Sequence, residues 1–280
     1  MPTVRRRRGR ITPLILALLV FALLLAVTFG AWHAAEEERV NSTTVEFDFQ
    51  VRQAVRRIEQ RMATYEQVQR GAQAFLLGSM AVNSKDFRFY VESLRLAEKF
   101  PGIQGIALVA HFTPDQLAER NAAMGRSDPP FALRPAGVRA QYSGITHIEP
   151  FTRLNPRALG FDMLTEPVRR EAMERSRDSG QAAASGKVRL IQENGRNEQT
   201  GLVMYLPFYA RGAPVANALQ RRAGLVGWVG APFRMGDLMA GLGDERERDL
   251  LLSIYDGPSA APEHLLFRSR AAEDARAHVP

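Results

Sequence analysis

The pattern of apolar and polar positions opens with a long apolar segment. Residues Ile11 to Trp32 form a run of 22 residues without a charged side chain. About 20 apolar residues in a helix cover the hydrocarbon thickness of a bilayer. Residues 11–33 are therefore predicted to be a transmembrane helix. Five arginines precede the run and three glutamates follow it at 36–38, which orients the N-terminus towards the cytoplasm.

A cleaved signal peptide is the alternative interpretation of this segment. Signal peptides have an apolar region of only about 7–15 residues, followed by a small-x-small cleavage site. Here the apolar run is longer, and the bulky Trp32 and His33 stand at its exit. An uncleaved, single-pass anchor in the inner membrane is favoured. Residues 1–10 would then be a basic cytoplasmic flank, and the rest of the chain would be periplasmic or extracellular.

After the apolar run, apolar residues spaced by three and four predict a stalk helix over residues 34–78. No proline occurs between Pro13 and Pro101. The stripe, which we call the stalk stripe, has Arg61 as its one polar interruption and consists of Phe47, Val51, Ala54, Ile58, Tyr65, Val68, Ala72 and Phe75. Such spacing is typical of a helix that pairs with a parallel copy of itself or packs on its own domain. Both options are open for this stripe.

The remaining chain has the pattern of an α+β domain over residues 79–256, followed by a tail at 257–280. Alternating helical and strand-like segments predict a helix at Asp86–Lys99, a strand at Ile103–Ala110, a helix capped by Thr165 and ended by Gly180, a hairpin of Lys187–Glu193 with Gly201–Ala210, and further strands at Ala223–Phe233 and Leu250–Tyr255. Helices set beside antiparallel strands predict one or two sheet-and-helix lobes.

Composition and motifs exclude several classes of function. The formal net charge is +7, but five of these charges are arginines of the first ten residues, which leaves +2 for residues 11–280. That is an ordinary surface, so no nucleic-acid partner is expected. The chain has no cysteine, and its five histidines lack metal-ligand spacing. Nucleophile-elbow and phosphate-loop motifs are missing as well, so neither catalysis nor a metal or other cofactor is expected.

Five segments in a fixed order carry a resemblance to a known family. They are Pro101-Gly102-Ile103, Gly160-Phe161-Asp162, Pro167 with Arg169-Arg170 and Ala172, Ser185-Gly186-Lys187-Val188 with Leu190, and Leu206-Pro207-Phe208-Tyr209. Together they resemble the CHASE domain, the extracytoplasmic sensor of cytokinin-receptor histidine kinases and of many bacterial kinases and diguanylate cyclases. The resemblance covers about residues 40–240. It implies a stalk helix and two PAS-like lobes, with a small-molecule ligand in the membrane-distal lobe. It also implies a homodimer that signals through its stalks to a cytoplasmic output domain.

The resemblance implies three ligand-binding residues. Asp162 matches the aspartate that holds the polar edge of the ligand in cytokinin receptors, and Leu190 matches an apolar wall position on the first hairpin strand. Tyr205 stands where the plant receptors have a smaller hydroxyl residue. A tyrosine there fills space that an adenine-type ring needs, which argues against cytokinin as the ligand. An acidic group facing an apolar pocket suits a ligand with an N–H donor.

Each of these residues also has an ordinary structural interpretation. Asp162 could cap the following helix or bond within its own turn. Leu190 and Tyr205 could be core residues. The adjacent Arg169 and Arg170 are more typical of a solvated helix face than of an anion clamp.

Two functions therefore stay open. The leading one is a membrane-anchored sensor that binds a small molecule and signals to an output domain elsewhere, with this chain expected to be a fragment of a longer receptor. The alternative is a membrane-tethered envelope scaffold that binds a protein partner through its stalk.

Overall fold

The chain divides into two units, Met1–Arg56 and Arg57–Pro280. A computed structural model describes residues 11–79, 83–117, 119, 132–152, 154–240 and 251–269. The predicted basic flank at residues 1–10 lies outside this described part of the chain.

Helix α1 runs from Ile11 to Gly78 and supplies the described part of the N-terminal unit. Its large apolar side chains between Ile15 and Trp32 are exposed. From Ile15 onward α1 is long and apolar enough to cross a membrane, the one such helix found among the described residues. This composition is compatible with the predicted anchor.

The globular unit alternates short helices and strands. They are α2 (Ser84–Leu94), α3 (Leu96–Lys99), β1 (Ile106–Phe112), β2 (Tyr142–Glu149), α4 (Pro167–Ser179), β3 (Ala183–Ala184), β4 (Gly201–Tyr209), α5 (Ala218–Gly224), β5 (Leu225–Arg234), α6 (Met235–Met239), β6 (Ser253–Tyr255) and β7 (Leu265–Arg268). Short 3-10 helices lie at Asn155–Ala158, Met163–Thr165 and Pro262–His264.

The strands form one antiparallel five-stranded sheet in the order β2-β1-β5-β4-β3, and β6 pairs with β7 in a separate two-stranded sheet. In the centre of the larger sheet, β4 pairs with β5 so that Tyr205 lies opposite Gly230. The predicted α+β class, with a long N-terminal helix, is confirmed. The PAS-like character of the two sheets stays a prediction.

Both faces of the five-stranded sheet are covered by apolar clusters. Successive side chains of a strand point to opposite faces, so each central strand contributes to both clusters. The face towards α1 carries Leu202, Met204 and Leu206 of β4 and Val229 of β5. The face towards α4 carries Val203 and Tyr205 of β4 and Trp228 of β5. Strand β4 therefore separates two apolar cores, and each core contacts alternate residues of the strand.

The C-terminal part of α1 is joined to the sheet by glutamine side chains. Gln69 is fully buried, and its Nε2 donates to the carbonyl oxygens of Met204 at 2.8 Å and Val229 at 3.1 Å. One turn later, Gln73 Nε2 donates to the Pro207 carbonyl oxygen at 2.6 Å. These bonds tie the helix directly to the backbone of β4 and β5.

The stalk stripe divides along its length. Tyr65, Val68 and Ala72 are buried in the core under the sheet, whereas Phe47 is 55% exposed. Arg61, the polar interruption, donates from Nη1 to the carbonyl oxygens of Leu238 (2.6 Å) and Ala240 (3.1 Å). The later stripe thus packs on its own domain, with Arg61 satisfying carbonyls at the end of α6. Pairing of the earlier stripe stays a prediction.

One predicted helix is broken in the structure. The segment Asp86–Lys99 forms α2 and α3, which are separated by Arg95 with φ 52°. A left-handed residue cannot continue a right-handed helix. The break coincides with the burial of Leu96, the first residue of α3.

The predicted hairpin is also only partly right. Lys187–Glu193 forms a single bridge, between Val188 and Gly201, and β4 pairs instead with the two residues of β3. Side chains, and not a neighbouring strand, bond the polar groups of this loop. The backbone N–H of Lys187 donates to Asp256 Oδ2 at 2.8 Å, and the Arg189 side chain binds the Glu198 carboxylate. Leu190 consequently lies in a loop and not on a strand.

Two boundaries differ from expectation as well. Glu166, and not Thr165, caps α4: its carboxylate accepts from the backbone N–H groups of Val168 and Arg169. The prediction of Gly180 at the end of α4 is confirmed, with φ 75°. Strand β7 lies inside the segment predicted to be a tail, whose residues 270–280 are outside the described part.

Candidate functional site

A small cavity lies between the sheet and the elements around α4. Its volume is about 10 Å³, close to the minimum for a single water molecule. The wall is mostly apolar and includes Ile145, Ile148, Met163 and Val203, with Arg169 as its charged member. Its lining, apolar with few polar groups, is that of a small-molecule site, but such sites usually enclose about 300–1,000 Å³, so this cavity is far smaller in the present structure.

Tyr205 stands beside this cavity, on β4. Its side chain is fully buried, and its hydroxyl donates to the Met163 Sδ at 3.8 Å. Burial raises the pKa of Tyr205 to about 12, against the opposing effect of the nearby Arg169 guanidinium. The phenol therefore stays protonated, and can donate a hydrogen bond, over the whole physiological range of pH.

Arg169 lies in the first turn of α4 and is only 3% exposed. Its Nη2 donates to the Arg189 carbonyl oxygen at 2.8 Å, and its Nη1 reaches the Met163 Sδ at 3.9 Å. Among the described residues the buried Nε has no hydrogen-bond partner, but it forms an ion pair with Glu166 Oε2 at 3.5 Å. Arg170 is exposed, as expected for a solvated face, but Arg169 is not.

Asp162 holds together the turn that follows it. Its Oδ1 accepts from Ser143 N at 3.0 Å, Ser143 Oγ at 2.9 Å and Leu164 N at 3.2 Å. Its Oδ2 is 3.4 Å from Arg139 Nη1. Asp162 thereby caps the 3-10 helix Met163–Thr165, and it is not among the residues that line the cavity.

Leu190 is buried and belongs to the same apolar cluster as Tyr205 and Met163. It packs against Gly201, where an added Cβ would come within 2.4 Å of the leucine Cγ. The carbonyl just before it, that of Arg189, is the acceptor for Arg169. The structure thus brings Leu190 and Tyr205 into one cluster, and Asp162 reaches that cluster through its neighbour Met163.

The profile of the CHASE domain matches residues 80–267, more than half of the chain. The chain belongs to the CHASE domain family. This confirms the resemblance found in the sequence, and it makes the chain a sensor of the kind that lies outside the cytoplasm and binds a ligand.

No curated protein matches this CHASE domain chain. Among solved structures it is similar to the ligand-binding domain of the Pseudomonas aeruginosa PAO1 amino acid chemoreceptor PctC in complex with GABA. The sequence identity is 11% and the TM-score 0.39. The similarity covers 68% of this chain and 63% of that one, so the chain spans less than two thirds of that protein's length.

An open groove of about 580 Å³ lies next to the cavity on the surface of the CHASE domain. Ile191 lines both the groove and the cavity, and so separates them. Two arginines of the groove donate to backbone carbonyls: Arg134 to Arg157 and Leu159, and Arg157 to Glu193. Within the described residues neither arginine forms an ion pair, so both keep their positive charge available to an approaching anion.

Sequence reasoning missed the inward orientation of Arg169 and the central position of Met163. The signal for Arg169 was helical spacing: it stands three, four and seven residues before Ala172, Met173 and Ser176, all of which are buried. Residues at these intervals share one face of a helix. No comparable pattern marked Met163, which lies in a 3-10 turn.

Proposed function

We propose that this chain is the sensory part of a membrane receptor. Residues 11–33 span the inner membrane, the N-terminus is cytoplasmic, and the CHASE domain lies in the periplasm. The charge-free apolar helix after an arginine cluster supports this orientation, and so does the extracytoplasmic location of CHASE domains.

The proposed ligand site is the cavity beside Tyr205. Tyr205 and Leu190 belong to the apolar cluster around it, and we keep Asp162 as a residue of the site because it holds the turn that carries Met163. A pocket of this size admits a small molecule only when side chains move. Binding would therefore be coupled to a change in the surrounding structure.

The signal is proposed to leave through a homodimer of stalks, towards an output domain on a longer chain or a partner. One observation carries this proposal: in β4, Tyr205 bonds to Met163 of the cavity wall and, one residue earlier, the Met204 carbonyl accepts from Gln69 of α1. A ligand that moves Tyr205 also moves the strand to which α1 is bonded.

Single-cysteine variants test the topology and the dimer, because the chain has no cysteine of its own. Val138→Cys replaces a residue that is 96% exposed, and a membrane-impermeant maleimide should label it from the periplasm. Thr3→Cys should react only after lysis. The opposite labelling pattern would contradict the orientation.

For the dimer, Phe47→Cys places a thiol on the stalk stripe and Arg52→Cys, the matched control, places one off it. Oxidation in native membranes should cross-link Phe47→Cys to itself at high yield and leave Arg52→Cys monomeric. Equal yields would count against a stalk dimer. Capture of a different protein at Phe47→Cys, with no self-pairing, would favour the scaffold function.

A further inference from the structure

Two strong hydrogen-bond donors converge on one weak acceptor in the cavity wall. The Tyr205 hydroxyl and Arg169 Nη1 both point at the Met163 Sδ, at 3.8 and 3.9 Å. A thioether sulfur is a poor acceptor for either group. The geometry of these donors is better suited to an oxygen than to the sulfur they meet.

The Arg169 guanidinium is under-satisfied for a group that is 3% exposed. Its Nη2 donates to the Arg189 carbonyl oxygen and the guanidinium also hydrogen-bonds the Tyr205 side chain, but its buried Nε has no hydrogen-bond partner among the described residues. Its Nε forms an ion pair with the Glu166 carboxylate at 3.5 Å, which is too long for a hydrogen bond, and that carboxylate already accepts from two backbone amides as the cap of α4. A buried cation is costly unless it is paired and hydrogen-bonded.

We propose that Arg169 and Tyr205 form the binding site for the carboxylate of a small organic acid, and that the flexible Met163 side chain moves aside to admit it. A carboxylate offers two planar oxygens to the guanidinium fork and a third hydrogen bond to the phenol. Methionine has three rotatable bonds and repacks easily. This assignment rests on the proposed sensor function and adds the chemical class of the ligand.

The rest of the cavity wall narrows the class further. Ile145, Ile148 and Val203 surround the space with apolar surface, which suits a short hydrocarbon body. Among the residues that line the cavity none is acidic, and the nearest carboxylate, Glu166, is already paired with Arg169, so an ammonium group would have no free partner there. The site therefore favours a monocarboxylate over an amino acid. The groove beyond Ile191 is lined by Arg134 and Arg157 against one acidic residue, Glu166, so its net positive charge would raise the local concentration of anions there.

The test uses the full chain in detergent and three kinds of probe. Propanoate, butanoate and hexanoate are compared with their primary amides and with 2-aminobutanoate, by thermal shift and by titration calorimetry. We expect at least one monocarboxylate to raise the melting temperature, and its amide and the amino acid to bind at least about 10-fold more weakly.

Variants locate the effect. Arg169→Gln should weaken binding of that acid at least about 30-fold, and Tyr205→Phe roughly 5-fold to 10-fold. Arg175→Gln, which replaces an exposed arginine of the same helix that pairs with Glu171, is the matched control and should bind as the wild type does. If Arg169→Gln fails to fold, the comparison of each acid with its amide and the affinity of the Tyr205→Phe variant still test the carboxylate site.

The assignment is overturned if no monocarboxylate shifts the melting temperature, if the amides bind as tightly as the acids, or if Arg169→Gln leaves the affinity unchanged. Any of these results would leave the cysteine experiments on topology and dimerisation untouched. Failure of the proposed membrane topology or of the stalk dimer would appear there instead.

Discussion

Replacing Asp162 by alanine should destabilise the CHASE domain whatever the ligand is. The variant removes a fully buried carboxylate that accepts from Ser143 N, Ser143 Oγ and Leu164 N at 2.9 to 3.2 Å. The serine hydroxyl can turn to another acceptor, and the Leu164 N–H also donates to Ser143 Oγ at 3.0 Å, but the buried Ser143 N–H loses its acceptor. Two to three hydrogen bonds to a charged acceptor give an expected loss of about 3–5 kcal/mol. For a unit of this size that corresponds to roughly 6–20 °C in melting temperature.

Asp162→Asn separates the cap from the charge. The amide keeps one oxygen for Ser143 and Leu164 and loses mainly the ion pair with Arg139, which spans 3.4 Å. The expected cost is about 1 kcal/mol, because Arg139 is partly exposed to solvent. Glu171→Ala is the control, since it removes an exposed carboxylate that pairs with Arg175 and should cost less than about 0.5 kcal/mol.

Thermal and urea unfolding of the full chain in detergent, followed by circular dichroism, measures all three variants. If Asp162→Ala were as stable as Glu171→Ala, the argument that Asp162 holds the Met163 turn would be wrong. If it unfolded as predicted while Asp162→Asn kept full ligand affinity, Asp162 would act on the site by position alone.

Three further variants test other parts of the fold. Gly160→Ala should cost about 3 kcal/mol or more in an unfolding experiment, because Gly160 has φ 77° and an added Cβ would lie 2.0 Å from the Ala132 carbonyl oxygen. The pKa of Asp178 lies well below its usual range, chiefly because Arg222 donates to its carboxylate. A lowered folded-state pKa stabilises the fold above the unfolded value of about 4, and that contribution is lost as the pH falls. Asp178→Asn should therefore lose less melting temperature between pH 5 and pH 3 than the wild type does. Gln69→Glu puts a carboxyl group against two carbonyl oxygens, where only the protonated form can donate. Its folded-state pKa should be raised, so the variant should be closer to wild-type stability at pH 5 than at pH 8.

Local patterns were sufficient where a segment's own residues decide its structure. The absence of proline and the three-four spacing predicted α1, and Gly180 marked the end of α4 because glycine adopts a left-handed conformation at little cost. The alternating and apolar runs around Tyr205 and Val229 likewise predicted β4 and β5.

Partners from distant segments decided the rest. Lys187–Glu193 has the composition of a strand, but the backbone N–H of Lys187 donates to the carboxylate of Asp256, 69 residues further on, and not to a neighbouring strand. Asp162 has its structural role because Ser143, a residue of β2, donates to its carboxylate. Arg169 was assigned to the surface because arginine is seldom buried. The cavity that it faces exists only once β4, α4 and the Met163 turn are assembled.

The alternation of side chains along β4 has a consequence for how tightly this protein holds its ligand. The Tyr205 side of the strand and the Gln69 side share one backbone, so the free energies of events on the two sides are linked. Linkage is reciprocal. If ligand binding changes the equilibrium between two arrangements of α1 by some factor, then the change from one arrangement to the other changes the ligand affinity by the same factor. Affinity is then a property of the assembled receptor and not of the pocket alone. In the proposed receptor, the same cavity attached to stalks held in different arrangements would respond over different ranges of concentration.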